Sequence, residues 1–351
     1  MDISQRDFGR LVQSYFVNVL LFGALIIFYK TSRYYSSYLS TDAQKTLITF
    51  YVFYIIAAIP LELLLPPERR RLEGKGLVAL RASLRYVRDA WRYLSQFPLH
   101  REHSPTISFR EKTAILFLLV KIYYLPIMVN FTFGNWNTMM EHWQNLSGAT
   151  GNINDLLLGA AFPFVIALFL LIDTVIFTFG YTIEYPAANN EIRSVEPTLF
   201  GWGIALICYP PFNSILDNYL IWSADSNAKL GSLGATYILQ ILALLALLLY
   251  LLPSIALGPR ASNLTNRGIV TWGPYAYIRH PAYTGKLIGW WLTSIPFLIQ
   301  SDQFLLGFFS LCGWTTIYFF RALTEERHLI ADPDYQEYCR RVRWRFIPFV
   351  F

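Results

Sequence analysis

The sequence predicts an all-α integral membrane protein with about eight transmembrane helices. Three observations carry that prediction. Apolar runs of about 17–26 residues recur along the chain, the length that a hydrocarbon core ~30 Å thick demands of a helix. Only 15% of the 351 residues are charged, where a soluble domain carries about 25%. Aromatic residues reach 17%, and Trp and Tyr collect at both membrane interfaces.

The eight runs are 12–29, 46–65, 113–133, 155–180, 198–222, 229–257, 284–300 and 303–320. No small-residue cleavage site follows the first, so it reads as a span and not as a signal peptide. The fifth contains Tyr209-Pro210-Pro211. Proline removes a backbone donor and clashes with the preceding turn, so that helix is expected to kink or break. Helices seven and eight are joined by about two residues and must form an antiparallel hairpin.

Orientation follows from Lys and Arg. Loop 67–112 holds eleven of them against five acids, and loop 134–154 holds none. The first is expected to face the cytoplasm and the second the opposite side. Alternation then puts 258–283 and both termini in the cytoplasm, in agreement with Arg260, Arg267 and Arg279 and with Arg340, Arg341, Arg343 and Arg345. Loop 181–197, with one Arg and three Glu, dissents. Within 67–112, Leu77, Leu80, Leu84, Val87 and Trp91 recur at helical spacing beside Arg81, Arg85, Arg88 and Arg92. This reads either as a basic amphipathic helix on the inner leaflet or as a solvated cytoplasmic helix.

The net charge of +6 reports this topology and gives no reason to expect a nucleic-acid partner. Cys208, Cys312 and Cys339 are scattered singly, which makes neither a disulfide framework nor a metal site. The chain divides into 1–257, six helices with the basic loop, and 258–351, which carries the polar motifs.

Those motifs are two. The stretch GPYAYIRHPAYTG (273–285) opens helix seven. Pro281 suits the first helical position, which puts His280 near the N-cap and aims free N–H groups at the interface, where a carboxylate or phosphate can bind. Gly285 lies in the second turn, where a missing side chain admits a ligand to the backbone. The plainer reading makes Arg279, His280 and Tyr283 interfacial anchors. Helix eight ends in Arg321, Glu325 and Glu326. Arg321 and Glu325 share a helix face, as an ordinary i,i+4 ion pair or as part of a site. The hairpin brings both clusters to one end.

GIVTWGPYAYIRHPAYTG followed by FFRALTEERHLIADPDYQEYCRRVRWRFIPF resembles the isoprenylcysteine carboxyl methyltransferase family over about 268–351. The residues that carry the resemblance are Gly273, Tyr275, Arg279, His280, Pro281, Tyr283 and Gly285, then Arg321, Glu325 and Glu326, then Tyr335, Tyr338, Arg341, Val342 and Pro348. The resemblance implies an S-adenosyl-L-methionine cofactor held on the cytosolic side by the hairpin and the C-terminal tail. Gly273, Pro274, Tyr275, Arg279, His280, Pro281, Tyr283, Gly285 and Glu326 are the implied cofactor-binding residues, with a tyrosine or Trp272 for the adenine. Arg321, Glu325 and Glu326 are the implied catalytic ones. Arg321 would orient an acceptor carboxylate, while either Glu fixes Arg321 or the cofactor amine; for an amine acceptor one Glu becomes the base. No strand-borne Gly-rich loop is present, so a Rossmann domain is not expected.

The acceptor is expected to be lipophilic, a lipid or isoprenoid reaching the site from the bilayer. Intramembrane Asp173 and the polar loop 184–197, which reads otherwise as a solvated connection, are candidates to contact it, chiefly Glu184, Asn190 and Arg193, with Asn189, Glu191 and Glu196 beside them. Intramembrane acids are expensive and need a partner or cavity. Three other functions compete. The ending YCRRVRWRFIPFVF also resembles membrane sterol reductases, which use NADPH. A phospholipid N-methyltransferase is a variant of the first reading. A transporter or sensor would require paired broken helices, and only one helix looks broken. A prokaryotic inner membrane fits best, with the endoplasmic reticulum open.

Overall fold

In a computed structural model, residues 5–96, 105–148, 152–217, 219–220, 230–300 and 302–350 are described. The chain divides into two compact units, residues 1–130 with 193–195, and 131–192 with 196–351.

In the first unit, α1 (Gln5–Thr31), the short α2 (Arg33–Tyr38), α3 (Thr41–Leu64), α4 (Lys75–Ser95) and the start of α5 (Phe109–Gly148) follow in order. Ser40 caps α3 by accepting from the Ala43 amide at 3.2 Å. α1 packs on both α3 and α4. Asn18 of α1 donates to the Tyr54 hydroxyl of α3 at 2.9 Å. A Cβ on Gly76 would stand 1.9 Å from Asn18 Oδ1, so α4 lies close against α1 at this glycine and a larger residue there would displace the Asn18 side chain. Leu77, Ala79 and Ala82 are buried there, whereas Leu84, Val87, Trp91 and Leu94 stay exposed.

In the second unit, α5 runs on to Gly148 and is followed by α6 (Ile153–Leu156), a π turn at Leu157–Ala161 and α7 (Phe162–Thr182). The expected loop 134–154 is therefore largely helix. Met139 and Met140 pack against Ala167, Phe164 and Leu171 of α7, and this burial carries the helix onward. Next come α8 (Leu199–Leu206), α9 (Asn213–Asp217), α10 (Leu233–Leu257), α11 (Pro281–Gln300), α12 (Phe304–Leu329) and α13 (Pro333–Arg341). The fifth expected span is not one helix. α8 ends after eight residues and Pro210-Pro211 carries the chain through a turn into α9. Residues 218, 221 and 222 of that stretch lie outside the described ones.

Six helical stretches among the described residues are long and apolar enough to cross a bilayer: Gln5–Thr31, Thr41–Leu64, Phe109–Gly148, Ile153–Thr182, Leu233–Arg260 and Phe304–Leu329. α11 has twenty residues, enough in length, yet it is not among these six. Two strands of two residues each, Ser194–Val195 and Thr265–Asn266, are all the strand among the described residues. The molecule is an all-α membrane protein.

α10 is the centre of the second unit, packing on α7 and most closely on α11, which in turn packs on α12. The close approach is written at Gly285. A Cβ there would meet Tyr250 N at 2.4 Å and Ala246 O at 2.7 Å. The missing side chain that the sequence reserved for a ligand is used by α10 instead.

Candidate functional site

The helix start at Pro281 is built as the sequence predicts. The His280 carbonyl accepts the Thr284 amide at 3.1 Å, the first bond of α11. The amides of Arg279 and His280 do not face an anion. They donate to the carbonyls of Trp344 and Arg345, each at 2.9 Å, and Thr284 Oγ1 donates to Phe346 O at 3.1 Å. The C-terminal tail is thus strapped across the N-terminus of α11.

Glu326 holds that strap. Its Oε1 meets Arg279 Nη1 at 3.0 Å and His280 Nε2 at 3.1 Å, and its Oε2 meets Arg345 Nε at 3.0 Å. The His280 ring stacks on Tyr283 and leans on Phe346, with centroids 5.5 Å away in both cases. α13 closes the layer from outside. Tyr335, Tyr338 and Val342 are buried against Tyr275 and Ile269, and the Tyr338 hydroxyl donates to Tyr275 O at 2.7 Å. Burial holds the Tyr275 hydroxyl well above its ordinary pKa, so it stays neutral. Arg341 instead lies outside, paired to Glu337.

Above this layer a cleft with about 990 Å³ of space, its open mouth included, is lined from α8, α10, α11, α12 and the loop at 262–265. Tyr275, Arg279, His280, Tyr283, Arg321 and Glu325 line it together, so the hairpin does bring the two sequence motifs to one place. Gly273, Pro274, Pro281, Gly285 and Glu326 are not among the lining residues, and neither is Trp272, which is exposed. These residues shape the loop, the helix start and the strap, and of the two adjacent glutamates Glu325 is the one at the cleft.

Arg321 and Glu325 do not form the ion pair their spacing allows. Glu325 Oε2 accepts the Tyr283 hydroxyl at 2.8 Å. Arg321, buried, donates to Asn263 Oδ1 and stands 5.4 Å from the Tyr283 ring centre, with Tyr209 and Tyr318 at 5.5 and 5.6 Å. Such faces attract a guanidinium without neutralising it.

The four residues expected to touch an acceptor are placed elsewhere. Asp173 is buried and accepts hydroxyls from Tyr250 at 2.6 Å and Ser254 at 2.5 Å, so it fixes two cleft-lining side chains from behind. Asn190 is fully buried and ties its loop together, accepting from Tyr185 N and donating to Ile183 O, both at 2.8 Å, and to Pro259 O at 3.3 Å. Glu184 Oε1 accepts the Ile192 amide at 3.1 Å. Arg193 is exposed. Of the acids in that loop, Glu196 is the one that reaches the cleft. Its Oε1 is held by Thr198 and, at 2.8 Å, by Arg327.

Two buried polar atoms on cleft-lining residues have no hydrogen-bond partner, Glu196 Oε2 and Arg279 Nε. An orphaned acceptor and an orphaned donor in one cleft suit a ligand with both an ammonium and a carboxylate. The aromatic lining suits a flat ring or a sulfonium. The donor set therefore fits S-adenosyl-L-methionine.

One comparison with known proteins falls on this same segment. Residues 238–331 match the model of the isoprenylcysteine carboxyl methyltransferase (ICMT) family. The ICMT match begins within α10 and ends after α12, so it takes in the hairpin, Arg279 to Gly285 and Arg321 to Glu326, but not α13 or the tail. The Delta(14)-sterol reductase of Mus musculus is 31% identical over 101 residues, which is 28% of this chain and 23% of the reductase. The chain thus spans about a quarter of the length of that reductase. No solved structure matches.

Sequence reasoning missed Lys286, Tyr250, Tyr318 and Asn263, all at the cleft. Lys286 had a signal: a lone charge in an otherwise apolar helix. Asn263 had none, because only folding brings its loop beneath α12.

Proposed function

We propose that this protein is an integral-membrane methyltransferase that uses S-adenosyl-L-methionine to methylate a lipophilic acceptor, most favourably a carboxylate. The observation that carries the reading is the coincidence of the ICMT match with a cleft that groups Tyr275, Arg279, Tyr283, Arg321 and Glu325 at one end of the hairpin. When bound, the cofactor supplies an electrophilic methyl group on a sulfonium.

The chain's own part is binding, alignment and exclusion of water. Glu325 and Glu196 receive the cofactor ammonium, and Arg279 its carboxylate. Arg321 orients the acceptor carboxylate, which is ionised near neutral pH and needs no strong base. With an amine acceptor, Glu325 takes its proton. Tyr250, Tyr283 and Tyr318 close the walls against water. The basic loop 67–112, the segment 258–283 and both termini are assigned to the cytoplasm, so the cofactor enters from the cytosol and the acceptor from the bilayer. A prenylated cysteine is the acceptor the family name suggests.

The test is calorimetric binding of S-adenosylhomocysteine to the full chain in neutral detergent, with NADPH as the control ligand. Wild type should bind S-adenosylhomocysteine, and Glu325→Gln should weaken it about tenfold, the loss of roughly one charge-assisted contact. Binding of NADPH alone would move the chain to the reductase reading, which the likeness to the sterol reductase favours.

A further inference from the structure

Two cations converge on one tyrosine in the cleft. Lys286, one residue past Gly285 on α11, hydrogen-bonds the Tyr318 hydroxyl at 3.1 Å and lies 5.2 to 5.4 Å from the ring centres of Tyr250, Tyr318 and Trp290. Arg321 lies over the other part of the same surround, 5.6 Å from the Tyr318 centre, with Asn263 as its hydrogen-bond partner. Both line the cleft. Among the described residues neither has a carboxylate within salt-bridge distance.

The nearby acids are engaged elsewhere. Asp173 is taken by Tyr250 and Ser254, Glu196 by Thr198 and Arg327, and Glu325 by Tyr283. Aromatic faces soften the cost of burying a cation but do not cancel its charge. Asp173, behind Tyr250, offsets Lys286 at longer range, and toward the cavity the two cations leave a positive field that an anion would neutralise.

We propose that Lys286 and Arg321, with Tyr318 between them, form an anion clamp that seizes the ionised headgroup of an amphiphilic acceptor, and that Lys286 sets the preference for an anionic over a neutral or cationic head. Anion capture follows from the cations alone; its use as the acceptor's anchor rests on the methyl-transfer reading. Lys286 is a specificity-determining residue here, distinct from the residues assigned to the cofactor.

The probes are decanoate, decyl phosphate and decyltrimethylammonium, titrated calorimetrically into the full chain in neutral detergent. Wild type should bind the two anions and not the cation, and the stronger anion identifies carboxylate or phosphate as the headgroup. Lys286→Met should weaken anion binding about tenfold or more, the loss of one charge-assisted contact. Lys286→Arg should restore most of it, and S-adenosylhomocysteine affinity should be unchanged in both variants. Equal binding of all three probes by wild type, which needs no variant to fold, would overturn the clamp. So would a folded Lys286→Met that binds decanoate like wild type. Competition between decanoate and S-adenosylhomocysteine would give the cations to the cofactor's own carboxylate and overturn the acceptor assignment. Anion binding without S-adenosylhomocysteine binding would sink the methyl-transfer reading and leave the clamp standing.

Discussion

Glu326→Gln separates holding the fold from holding a ligand. Glu326 is within 3.0–3.1 Å of Arg279, His280 and Arg345, with side-chain exposures of 10% for itself and 12%, 5% and 32% for these three partners. Removing one member of a buried pair costs roughly 3–5 kcal/mol, because the partners' desolvation is left uncompensated. Gln keeps one acceptor oxygen, and the Arg345 contact is partly screened by solvent, so the lower end applies, about 3 kcal/mol. At an unfolding entropy of roughly 2.1 cal/mol/K per residue, 1 kcal/mol moves the melting temperature of a 351-residue chain by about 1.4 °C, which puts the expected fall at ~4 °C. Glu325→Gln is the comparison. It is exposed and accepts one tyrosine hydroxyl, so its cost is roughly 1 kcal/mol or less. The assay is thermal unfolding of both variants in detergent, followed by tryptophan fluorescence, with S-adenosylhomocysteine binding measured in parallel. The expected pattern is the larger melting shift for Glu326→Gln and a binding defect at nearly wild-type stability for Glu325→Gln. A Glu326→Gln protein that melts with wild type yet loses the ligand would refute the staple and return Glu326 to the ligand.

Gly285→Ala should lower the melting temperature and weaken ligand binding together, since its Cβ would press on the α10 backbone at Tyr250 and Ala246; the cost should reach the top of the ~1–3 kcal/mol range for overpacking. Asp173→Leu should destabilise by about 2–4 kcal/mol through the two stranded hydroxyls of Tyr250 and Ser254, and Asp173→Asn by less, as compared by unfolding in detergent. Exposed Leu84, Val87 and Trp91 beside the arginines of α4 are expected to seat that helix on an anionic leaflet. In vesicles containing brominated phosphatidylserine, the quenching of wild type should exceed that of Trp91→Phe, and equal quenching would put the helix in water.

The sequence alone fixed the features whose physics is local. Apolar length and sparse charge make a membrane protein of helices, because backbone groups in lipid must pair within their own segment. Pro281 set the start of α11 because its missing N–H is harmless only there. Pro210-Pro211 forecast the break after α8, and the short connection after α11 forecast the hairpin. The motif residues Tyr275, Arg279, His280, Tyr283, Arg321 and Glu325 were legible because the two clusters sit at adjacent ends of that hairpin.

Side-chain partnership was a different matter. Spacing put Arg321 and Glu325 on one face, but Tyr283 and Asn263, from elements 38 and 58 residues before Arg321, offered each a better-placed partner. Two adjacent glutamates look alike in sequence, yet a helix turns about 100° between them, so one faces the cleft and the other the tail. The same rule gave Gly285 to α10, and made Asn190 a loop brace rather than a contact for an acceptor. Lys286 stands out in the sequence as a lone charge in an apolar helix, but its surroundings, rings from α10 and α12 and no carboxylate within salt-bridge distance among the described residues, exist only in the fold. Residue types and local geometry are properties of the sequence; which charges stay unpaired is decided by packing, because it depends on every element that comes within a few ångströms.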